Sequence, residues 1–291
     1  MNSAAPSPIS ASAIRVRSSN VFRSDLEAHY PLTKANLDFF KDRGFIKLKE
    51  VLSRETLEFY ARVISEQVQL LSTQTEPLEK RDTYGKAFLQ VMNIWQKNAV
   101  VRDLVFSKKL ARLAAELLGV SGVRLYHDQA LYKEPGGGMT PWHADQFYWP
   151  VDTNNTITAW IPLQDTPLEM GPLAFAPRSH RINVGRNVAI SNDSEELIRK
   201  TLNELKMEVV ETAYELGEIS FHRGWNWHHA GANTTDAPRR VMTMIYIEED
   251  ARLIKPKHKN HQQDWDAWMP GVKVGQVIDS PLNPVLWSER P

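Results

Sequence analysis

Apolar residues recur at helical spacing in the first 120 positions. Residues 33–40, 53–71 and 107–119 each begin with a serine or threonine that can cap a helix, and glycine follows the first and ends the last. Residues 44–51 alternate as a strand does. The pattern predicts a mainly helical part over residues 31–120. The apolar stripe of the second helix is formed by Leu57, Tyr60, Ala61, Ile64, Val68 and Leu71.

After Gly119 the pattern changes to short runs rich in β-forming residues, separated by turn residues. Many short strands with uneven loops are typical of a sandwich, barrel or jelly roll. Residues 193–206 interrupt them and predict one inserted helix. The predicted strands are residues 123–132, 156–162, 173–177, 208–212, 218–221 and 241–247.

The two ends of the chain differ in composition. Residues 1–30 begin with a stretch rich in Ser, Ala and Pro, which predicts a disordered tail. This stretch also contains arginine and no acidic residue over its first 20 positions, as a transit peptide does, so an organelle is the alternative to a cytoplasmic location. Residues 251–291 contain three tryptophans and several prolines, which predicts an ordered extension. We expect one domain over residues 31–291, with a β core at 121–250.

Composition excludes several classes of protein. The 35 basic and 35 acidic residues cancel, whereas a general nucleic-acid binder would carry a basic excess. The chain has no cysteine, which excludes disulfides, thiolate zinc sites, iron–sulfur clusters and a cysteine nucleophile. No segment has the run of about 18–20 apolar residues that a membrane span needs. The sequence contains no P-loop, G-x-S-x-G or H-E-x-x-H motif.

Candidate metal chemistry lies in two histidine-containing segments, residues 141–146 (PWHADQ) and 222–229 (HRGWNWHH). On a strand, His143 and Asp145 would point to the same face. A histidine from a facing strand would complete two histidines and one carboxylate, the set that non-haem Fe(II) oxygenases use. By itself the pair is weak evidence, because a surface histidine beside an aspartate is the commoner explanation. His29, His258 and His261 lie in polar segments, where we expect solvated side chains.

The surrounding motifs extend this pattern over residues 35–250. H-x-D is followed by an aromatic pair, a W-x-x-L strand at Trp160, a G-x-L turn at Gly171 and a turn over residues 177–180; H-x-x-x-x-N and an arginine come much later. In this order and spacing the sequence resembles the phytanoyl-CoA dioxygenase family of Fe(II)/2-oxoglutarate oxygenases. It departs from the family pattern at Arg178, where glycine is common, but that turn is structural.

The resemblance implies that His143, Asp145 and His228 are the iron ligands. His228 lies five positions before Asn233 and eleven before Arg239, as the family pattern requires. His229 lies eleven before Arg240, so a slip by one residue is the alternative. Neighbouring strand residues face opposite ways, so a regular strand cannot supply both histidines. We expect His222 at a strand end or in the pocket.

The resemblance also implies a co-substrate site. Arg239 resembles the arginine that pairs with the distal carboxylate of 2-oxoglutarate, a task suited to a planar guanidinium. Trp160 resembles the tryptophan beside the co-substrate, with core packing as the alternative. Gln129 and Gln90 are further candidate contacts. Ala230 stands where some members carry a hydroxyl. Tyr148 and Trp149 are either pocket walls or core aromatics.

From the family we expect a mainly β fold with flanking helices, built on a double-stranded β-helix, or jelly-roll, core. The expected activity oxidises a C–H bond of a small molecule, with Fe(II), 2-oxoglutarate and O₂ as cofactors and ascorbate as an optional helper. Because Asp145 is a carboxylate where related halogenases have Gly or Ala, hydroxylation is expected rather than halogenation. The alternatives are a cupin-like metalloenzyme that is not an oxygenase, and a catalytically silent binding protein.

The aromatic content indicates a largely apolar substrate, such as an acyl chain or a secondary metabolite, with a small polar amino acid as the alternative. We expect the lid over the site to combine the N-terminal helices, residues 181–206 and the C-terminal extension. The basic run at residues 255–259 predicts a solvated face, or a contact to a coenzyme A phosphate. Residues 136–138 (GGG) open no helix and predict a loop. The sequence carries no signal for an oligomeric state.

Overall fold

A computed structural model of the protein describes residues 22–290, so the transit-like segment at residues 1–21 lies outside it. The prediction of a disordered tail up to residue 30 is wrong for residues 23–27, which form a helix. Leu26 of this helix is buried, and its Asp25 accepts a 2.8 Å hydrogen bond from Lys109. This ion pair ties the segment to the body of the molecule.

The N-terminal part is mainly helical, as predicted, and the predicted caps form. Thr33 caps its helix in a reciprocal capping box with Asn36, and the side chains of Ser53 and Ser107 accept hydrogen bonds from backbone N–H groups three residues on. The elements in this part are α1 (Arg23–Glu27), α2 (Lys34–Arg43), β1 (Phe45–Leu48), α3 (Arg54–Leu71), α4 (Thr83–Ala87), β2 (Leu89–Met92), α5 (Ala99–Val105) and α6 (Lys108–Leu118).

The remaining chain is mainly β. The predicted inserted helix forms and starts one residue early, and residues 251–291 contribute a helix and a strand to the ordered structure. The elements in this part are β3 (Gly122–Lys133), β4 (Thr140–His143), β5 (Thr156–Pro162), β6 (Leu173–Phe175), α7 (Asn192–Glu204), β7 (Val210–Glu211), β8 (Ile219–Arg223), β9 (His228–Ala230), β10 (Arg239–Glu248), α8 (Lys259–Trp268) and β11 (Val285–Ser288). Short 3₁₀ turns join several of them.

These strands form two antiparallel sheets. The larger has the order β1-β8-β5-β10-β3-β11, and β2 also pairs with β3; the smaller has the order β4-β9-β6-β7. An apolar cluster with members from both sheets packs between them, and in it Phe45 stacks on Phe175 with ring centroids 4.4 Å apart. Two antiparallel sheets face to face, with strands crossing between them in sequence, are the jelly-roll core that the sequence predicts.

The two faces of the larger sheet have different partners, because successive side chains on a strand point to opposite sides. On β5, Ile157, Ala159 and Ile161 pack with helices α3 and α6. Thr158 and Trp160, which alternate with them, face a cavity on the other side. Strands β2, β3 and β10 divide their residues in the same way. The N-terminal helices therefore cover the back of the sheet, and the inward face is left for the site.

The backbone conformation at Arg178 explains why glycine is common at this position of the family pattern. Arg178 has φ of 66°, in the left-handed region that favours glycine. The glycine common in the family at this place fits that backbone. In this chain, Arg178 compensates through an ion pair with Asp42 at 2.7 Å. Residues 136–138 lie in a loop between β3 and β4, as predicted. No helix in residues 22–290 is both long and apolar enough to cross a bilayer.

Candidate functional site

Three side chains from separate places in the chain converge inside the cavity. His143 ends β4, Asp145 begins the 3₁₀ turn that follows, and His228 begins β9. The Nε2 atoms of His143 and His228 lie 3.5 and 3.6 Å from Asp145 Oδ1, and one donor atom from each residue lies within 4.8 Å of the others. β4 and β9 pair with His143 opposite His228, which sets this spacing. His143 and Asp145 do not share a regular strand, since the chain turns between them.

Backbone carbonyls orient both histidines. His143 Nδ1 lies 2.7 Å from the carbonyl oxygen of Pro141, and His228 Nδ1 lies 3.0 Å from that of Asn226. Each Nδ1 therefore carries the proton and donates it, which leaves the Nε2 lone pair directed at the centre of the cluster. Burial, and then the neighbouring His143, lower the pKa of His228 well below its usual range, so this ring is neutral at pH 7.

The second oxygen of Asp145 is held from the larger sheet. Asp145 Oδ2 accepts a 3.0 Å hydrogen bond from Thr158 and lies 3.2 Å from His222 Nε2. Burial acts to raise the pKa of Asp145, but the contacts of its carboxylate with the surrounding imidazoles hold that pKa well below its usual range. The carboxylate is therefore ionised, with Oδ1 facing the two histidines. His222 lines the cavity on β8, as expected of a pocket residue.

The two histidines at positions 228 and 229 face opposite ways. His228 points into the cavity, whereas the ring of His229 packs on Trp142 with centroids 4.2 Å apart. Burial lowers the pKa of His229 to about 4. The arginines differ in the same way, since Arg239 lines the cavity and Arg240 donates to Gln164 elsewhere. The geometry favours the register of His228 and Arg239 over the slipped alternative.

Arg239 is a buried cation at one end of the cavity. Its side chain is 1% exposed, and its Nη1 donates to the carbonyl oxygen of Gly171. Its Nε is buried with no hydrogen-bond partner among the residues that the structure describes. Burial lowers the pKa of Arg239 only to about 10, so the group stays charged at pH 7. A charged guanidinium with an unused donor inside a cavity is suited to bind a carboxylate.

The other co-substrate candidates line the same cavity as Arg239. Trp160 lines the cavity with its ring centroid 5.6 Å from the guanidinium. It also packs between the sheets, so core packing is confirmed and its place beside the co-substrate stays a prediction. Gln90 donates to Gln129 over 2.5 Å, and both glutamines line the cavity. Ala230 also faces the cavity and offers no hydroxyl there. Asn233 instead supports the turn, donating to three backbone carbonyls.

The cavity has a volume of about 560 Å³ and is closed by segments outside the jelly roll. Residues 189–190 contribute one edge and α8 of the C-terminal extension contributes another, as expected of a lid. The expectation that the N-terminal helices join the lid is wrong. They pack behind the larger sheet, and the N-terminal part reaches the cavity through β2 and the adjoining Phe88.

Comparisons with known proteins agree with this geometry. The sequence profile of the family described as phytanoyl-CoA dioxygenase (PhyH) matches residues 40–241. The chain belongs to the phytanoyl-CoA dioxygenase family. It is 26% identical over 231 residues to the "Probable alpha-ketoglutarate-dependent hypophosphite dioxygenase" of Stutzerimonas stutzeri. The aligned region covers 73% of this chain and 77% of that protein. It is 23% identical over 272 residues to the ectoine dioxygenase of Halomonas elongata, with coverages of 84% and 80%.

A solved structure shares the fold. The epimerase SnoN, crystallised with Fe³⁺, α-ketoglutarate and nogalamycin RO, superposes with a TM-score of 0.71 at 23% identity, covering 86% of this chain and 96% of SnoN. The family match and the cluster of two histidines and one aspartate support Fe(II) and 2-oxoglutarate as the cofactors. The protein is a 2-oxoglutarate-dependent dioxygenase that acts on a small molecule.

The site of this family member fits both cofactors. Two imidazole nitrogens and one carboxylate oxygen lie within 4.8 Å of one another, and they are the donor set that Fe(II) takes in such enzymes. Arg239, with its unpartnered Nε, fits the remote carboxylate of 2-oxoglutarate.

Two of the histidines expected on the surface of the dioxygenase lie at the start of α8 and are not solvated as expected. The ring of His258 stacks on Phe147 with centroids 4.3 Å apart, and its Nδ1 accepts the backbone N–H of His261 as the cap of α8. His261 is 6% exposed, and burial lowers its pKa to about 4. This packing could not be predicted from the polar sequence around the two histidines, because Phe147 is distant from them in the chain. His29 is exposed, as expected.

Several functional positions were not predicted from the sequence. Thr158 could have been found from alternation, because it lies two positions before Trp160 on a strand that the sequence predicts. His127 and Asp264 line the cavity, on β3 and α8. Neither belongs to a recognisable motif, and α8 itself was not predicted as a helix. Lys259, within the predicted solvated basic run, also reaches the cavity edge.

Proposed function

We propose that His143, Asp145 and His228 hold Fe(II) and that Arg239 holds the remote carboxylate of 2-oxoglutarate. The observation that carries the proposal is the pairing of two oriented imidazoles with an ionised carboxylate in the same cavity as a buried, incompletely partnered arginine. Trp160 and the Gln90–Gln129 pair border the space between these two ends and would fix the co-substrate from the sides.

The chain's own residues supply binding and orientation. The carbonyls of Pro141 and Asn226 keep both imidazoles in one tautomer, and Thr158 keeps Asp145 turned so that one oxygen faces the metal. Three protein ligands leave the remaining positions for co-substrate and O₂. Bound iron supplies the activation of O₂ that couples decarboxylation of 2-oxoglutarate, to succinate and CO₂, with oxidation of a substrate C–H bond. The protein orients that bond and limits access of water.

The substrate side of the cavity supports a small molecule with a largely apolar body. Its wall includes Tyr148, Trp149, Ile245 and Trp268. Aromatic and aliphatic walls with a few polar groups are typical of sites that bury small organic ligands. We propose that the reaction is hydroxylation, because the carboxylate of Asp145 occupies the position that a halide would need.

The test measures succinate from 2-oxoglutarate with Fe(II), ascorbate and O₂, comparing the wild type with Asp145→Ala. We expect slow turnover in the wild type even without the primary substrate, and none in the variant. Exposed Asp152, replaced in Asp152→Ala, serves as a control on overall folding and should retain turnover.

Turnover that survives in Asp145→Ala would contradict the assignment of this ligand. A wild type that neither forms succinate nor develops a visible charge-transfer band with anaerobic Fe(II) and 2-oxoglutarate would contradict the proposed cofactor site. That result would favour the alternatives, which are a metalloenzyme that is not an oxygenase and a catalytically silent binding protein.

A further inference from the structure

The cavity has a second end, opposite Arg239. On the paired strands β3 and β10, Arg239 is opposite Lys133, Thr243 is opposite Gln129, and Ile245 is opposite His127. Six residues of strand separate Arg239 from Ile245, which is roughly 20 Å. We call this end the distal pocket and define it by His127, Tyr148, Trp149, Asp264 and Trp268.

The distal pocket contains a carboxylate. Asp264 lies on the cavity face of α8, is half-buried, and accepts a 2.7 Å hydrogen bond at Oδ2 from the hydroxyl of Tyr126. No cationic side chain in residues 22–290 forms an ion pair with it, and Oδ1 has no hydrogen-bond donor there. Partial burial of a carboxylate without a countercharge is unfavourable, and a bound cation would relieve this cost.

The other groups of the distal pocket do not neutralise Asp264. Burial lowers the pKa of His127 to about 4, so its imidazole is neutral at pH 7. The hydroxyl of Tyr148 accepts a 2.9 Å hydrogen bond from the backbone of Ile190 and carries no charge, since burial raises its pKa to about 12. Lys259 is exposed at the rim of the cavity and makes no ion pair with Asp264.

Aromatic rings complete the surroundings of this carboxylate. Trp268 lies one helical turn beyond Asp264, with its ring centroid 5.4 Å from that of His127. Trp149 lies 5.5 Å from Tyr126, the residue that donates to Asp264. A carboxylate and aromatic rings that line the same end of a cavity form an arrangement that attracts a cation and does not attract an anion.

We propose that the primary substrate carries a protonated nitrogen, which binds in the distal pocket to Asp264 and against the rings of Trp149 and Trp268. The proposal rests on the proposed function, because 2-oxoglutarate occupies the Arg239 end and leaves the distal pocket for the substrate. Asp264 then acts as a specificity-determining residue, selecting an amine over an alcohol or a carboxylic acid of the same shape.

Proton release offers an independent signature. Burial raises the pKa of Asp264 to about 7, and the hydrogen bond from Tyr126 opposes this only in part. At pH 7 a fraction of the free protein therefore carries a protonated Asp264. An ammonium group that binds there favours the ionised form, so its binding releases protons. An alcohol gives no such release.

The experiment uses the full chain loaded anaerobically with Fe(II) and 2-oxoglutarate, so that binding is measured without turnover. The probes are phenylethyl, cyclohexylethyl and decahydronaphthylmethyl skeletons, each offered as the amine, the alcohol and the carboxylate. Calorimetry in buffers of different ionisation enthalpy gives affinity and proton release together. We expect at least one amine to bind 10-fold or more tightly than its alcohol, with release of protons at pH 7.

The variants decide whether Asp264 is responsible. Asp264→Asn keeps the shape and the acceptor for Tyr126, and we expect it to abolish both the amine preference and the proton release. Asp266→Asn makes the same charge change on the same helix, on an exposed side chain that contacts Gln262, and should keep both. The proposal is overturned if no amine exceeds its alcohol on any skeleton, if carboxylates bind best, or if the preference survives in Asp264→Asn.

The two proposals fail in different ways. If the charge-transfer band forms with Fe(II) and 2-oxoglutarate but the amine preference is missing, only the substrate inference fails. If the band itself does not form, the proposed function fails, whatever the amines do.

Discussion

At the scale of single residues, the two ring nitrogens of His143 and of His228 have different partners. One nitrogen of each ring contacts a backbone carbonyl, and the other faces Asp145. His229 has neither arrangement, since its Nδ1 is buried without a partner among the residues described and its ring packs on Trp142. The orientation of the lone pairs therefore separates a ligand from a neighbour that has the same side chain.

Arg239 and Arg240 provide a matched pair for testing the co-substrate site. Arg239→Lys removes the planar pair of donors, so we expect the KM for 2-oxoglutarate to rise about 100-fold while kcat changes little. Arg240→Lys alters a side chain on the opposite face of β10 and should leave this KM unchanged. Steady-state kinetics with varied 2-oxoglutarate check both. An unchanged KM with a lost kcat in Arg239→Lys would contradict an anchoring role.

The sequence predicted the residues that belong to spaced motifs, including His143, Asp145 and Arg239, because their order along the chain is specific. It left open whether His228 or His229 is the third ligand, since a shift of one residue in the motif would exchange them. The positions of Asp264 and His127 in the cavity could not be predicted, because they depend on the packing of α8 over β3. That packing is set by tertiary contacts of Met269 and Ile278 with the cluster around Trp149.

At the scale of elements, long and strongly patterned segments were predicted well. α3 and α6 begin at the predicted caps, and β5 has the predicted bounds. The short strands β2, β4 and β9 were missed. β4 is only four residues long and contains proline, and β9 is three residues long. Neither is long enough to show an alternation of apolar and polar residues. Both form strands because they pair with each other in the smaller sheet. These missed elements carry two of the three metal-binding candidates.

The turn before β6 links the backbone to the co-substrate site. Gly171 has φ of 64°, and a Cβ there would lie 2.2 Å from the carbonyl oxygen of Gly231. Its own carbonyl accepts the hydrogen bond from Arg239. Gly119 has a similar φ of 73° but open space around it. A comparison of alanine substitutions at the two positions therefore distinguishes the free-energy cost of the backbone conformation from that of a steric clash.

We expect Gly119→Ala to lower the free energy of unfolding by about 1–2 kcal/mol, the cost of the left-handed conformation. Gly171→Ala should lower it by a further 1–3 kcal/mol or so through overpacking. It should also raise the KM for 2-oxoglutarate by displacing Arg239. Urea unfolding of both variants, with kinetics, checks this. Equal losses of stability would contradict the close approach of Gly171 to Gly231.

At the scale of the whole molecule, two apolar regions position the cavity. The larger cluster joins the helices to the back of the larger sheet, and a second lies between the sheets. The C-terminal extension adds α8 over the mouth and β11 at the edge of the larger sheet. The sequence predicted an ordered extension from its tryptophans, and Trp265 and Trp268 pack against the cluster that anchors α8.

Buried histidines give the metal-free protein a pH dependence. Burial lowers the pKa of His127, His180, His229 and His261 to about 4. Between pH 6.5 and 4 the unfolded chain therefore binds more protons than the folded one, and stability falls as pH falls. Burial raises the pKa of Asp128 and Asp264 to about 7, which has the opposite sign over this range. The histidines outnumber these carboxyls.

We therefore expect the Tm of the metal-free protein to decrease from pH 6.5 to pH 5. His180→Gln removes one of these imidazoles, which is not itself a metal-binding candidate, and it should make this decrease shallower. His29→Gln changes an exposed histidine and should leave the slope unchanged. Thermal unfolding at several pH values checks the three proteins. A Tm that rises on acidification would contradict the burial of these rings.

The central claim is that His228, with His143 and Asp145, holds the iron to which 2-oxoglutarate binds. The most direct measurement is the anaerobic titration of Fe(II) and 2-oxoglutarate, followed by the visible charge-transfer band, in the wild type, His228→Ala and His229→Ala. The account predicts the band in the wild type and in His229→Ala, and its loss in His228→Ala. A band that persists in His228→Ala and disappears in His229→Ala would contradict the account.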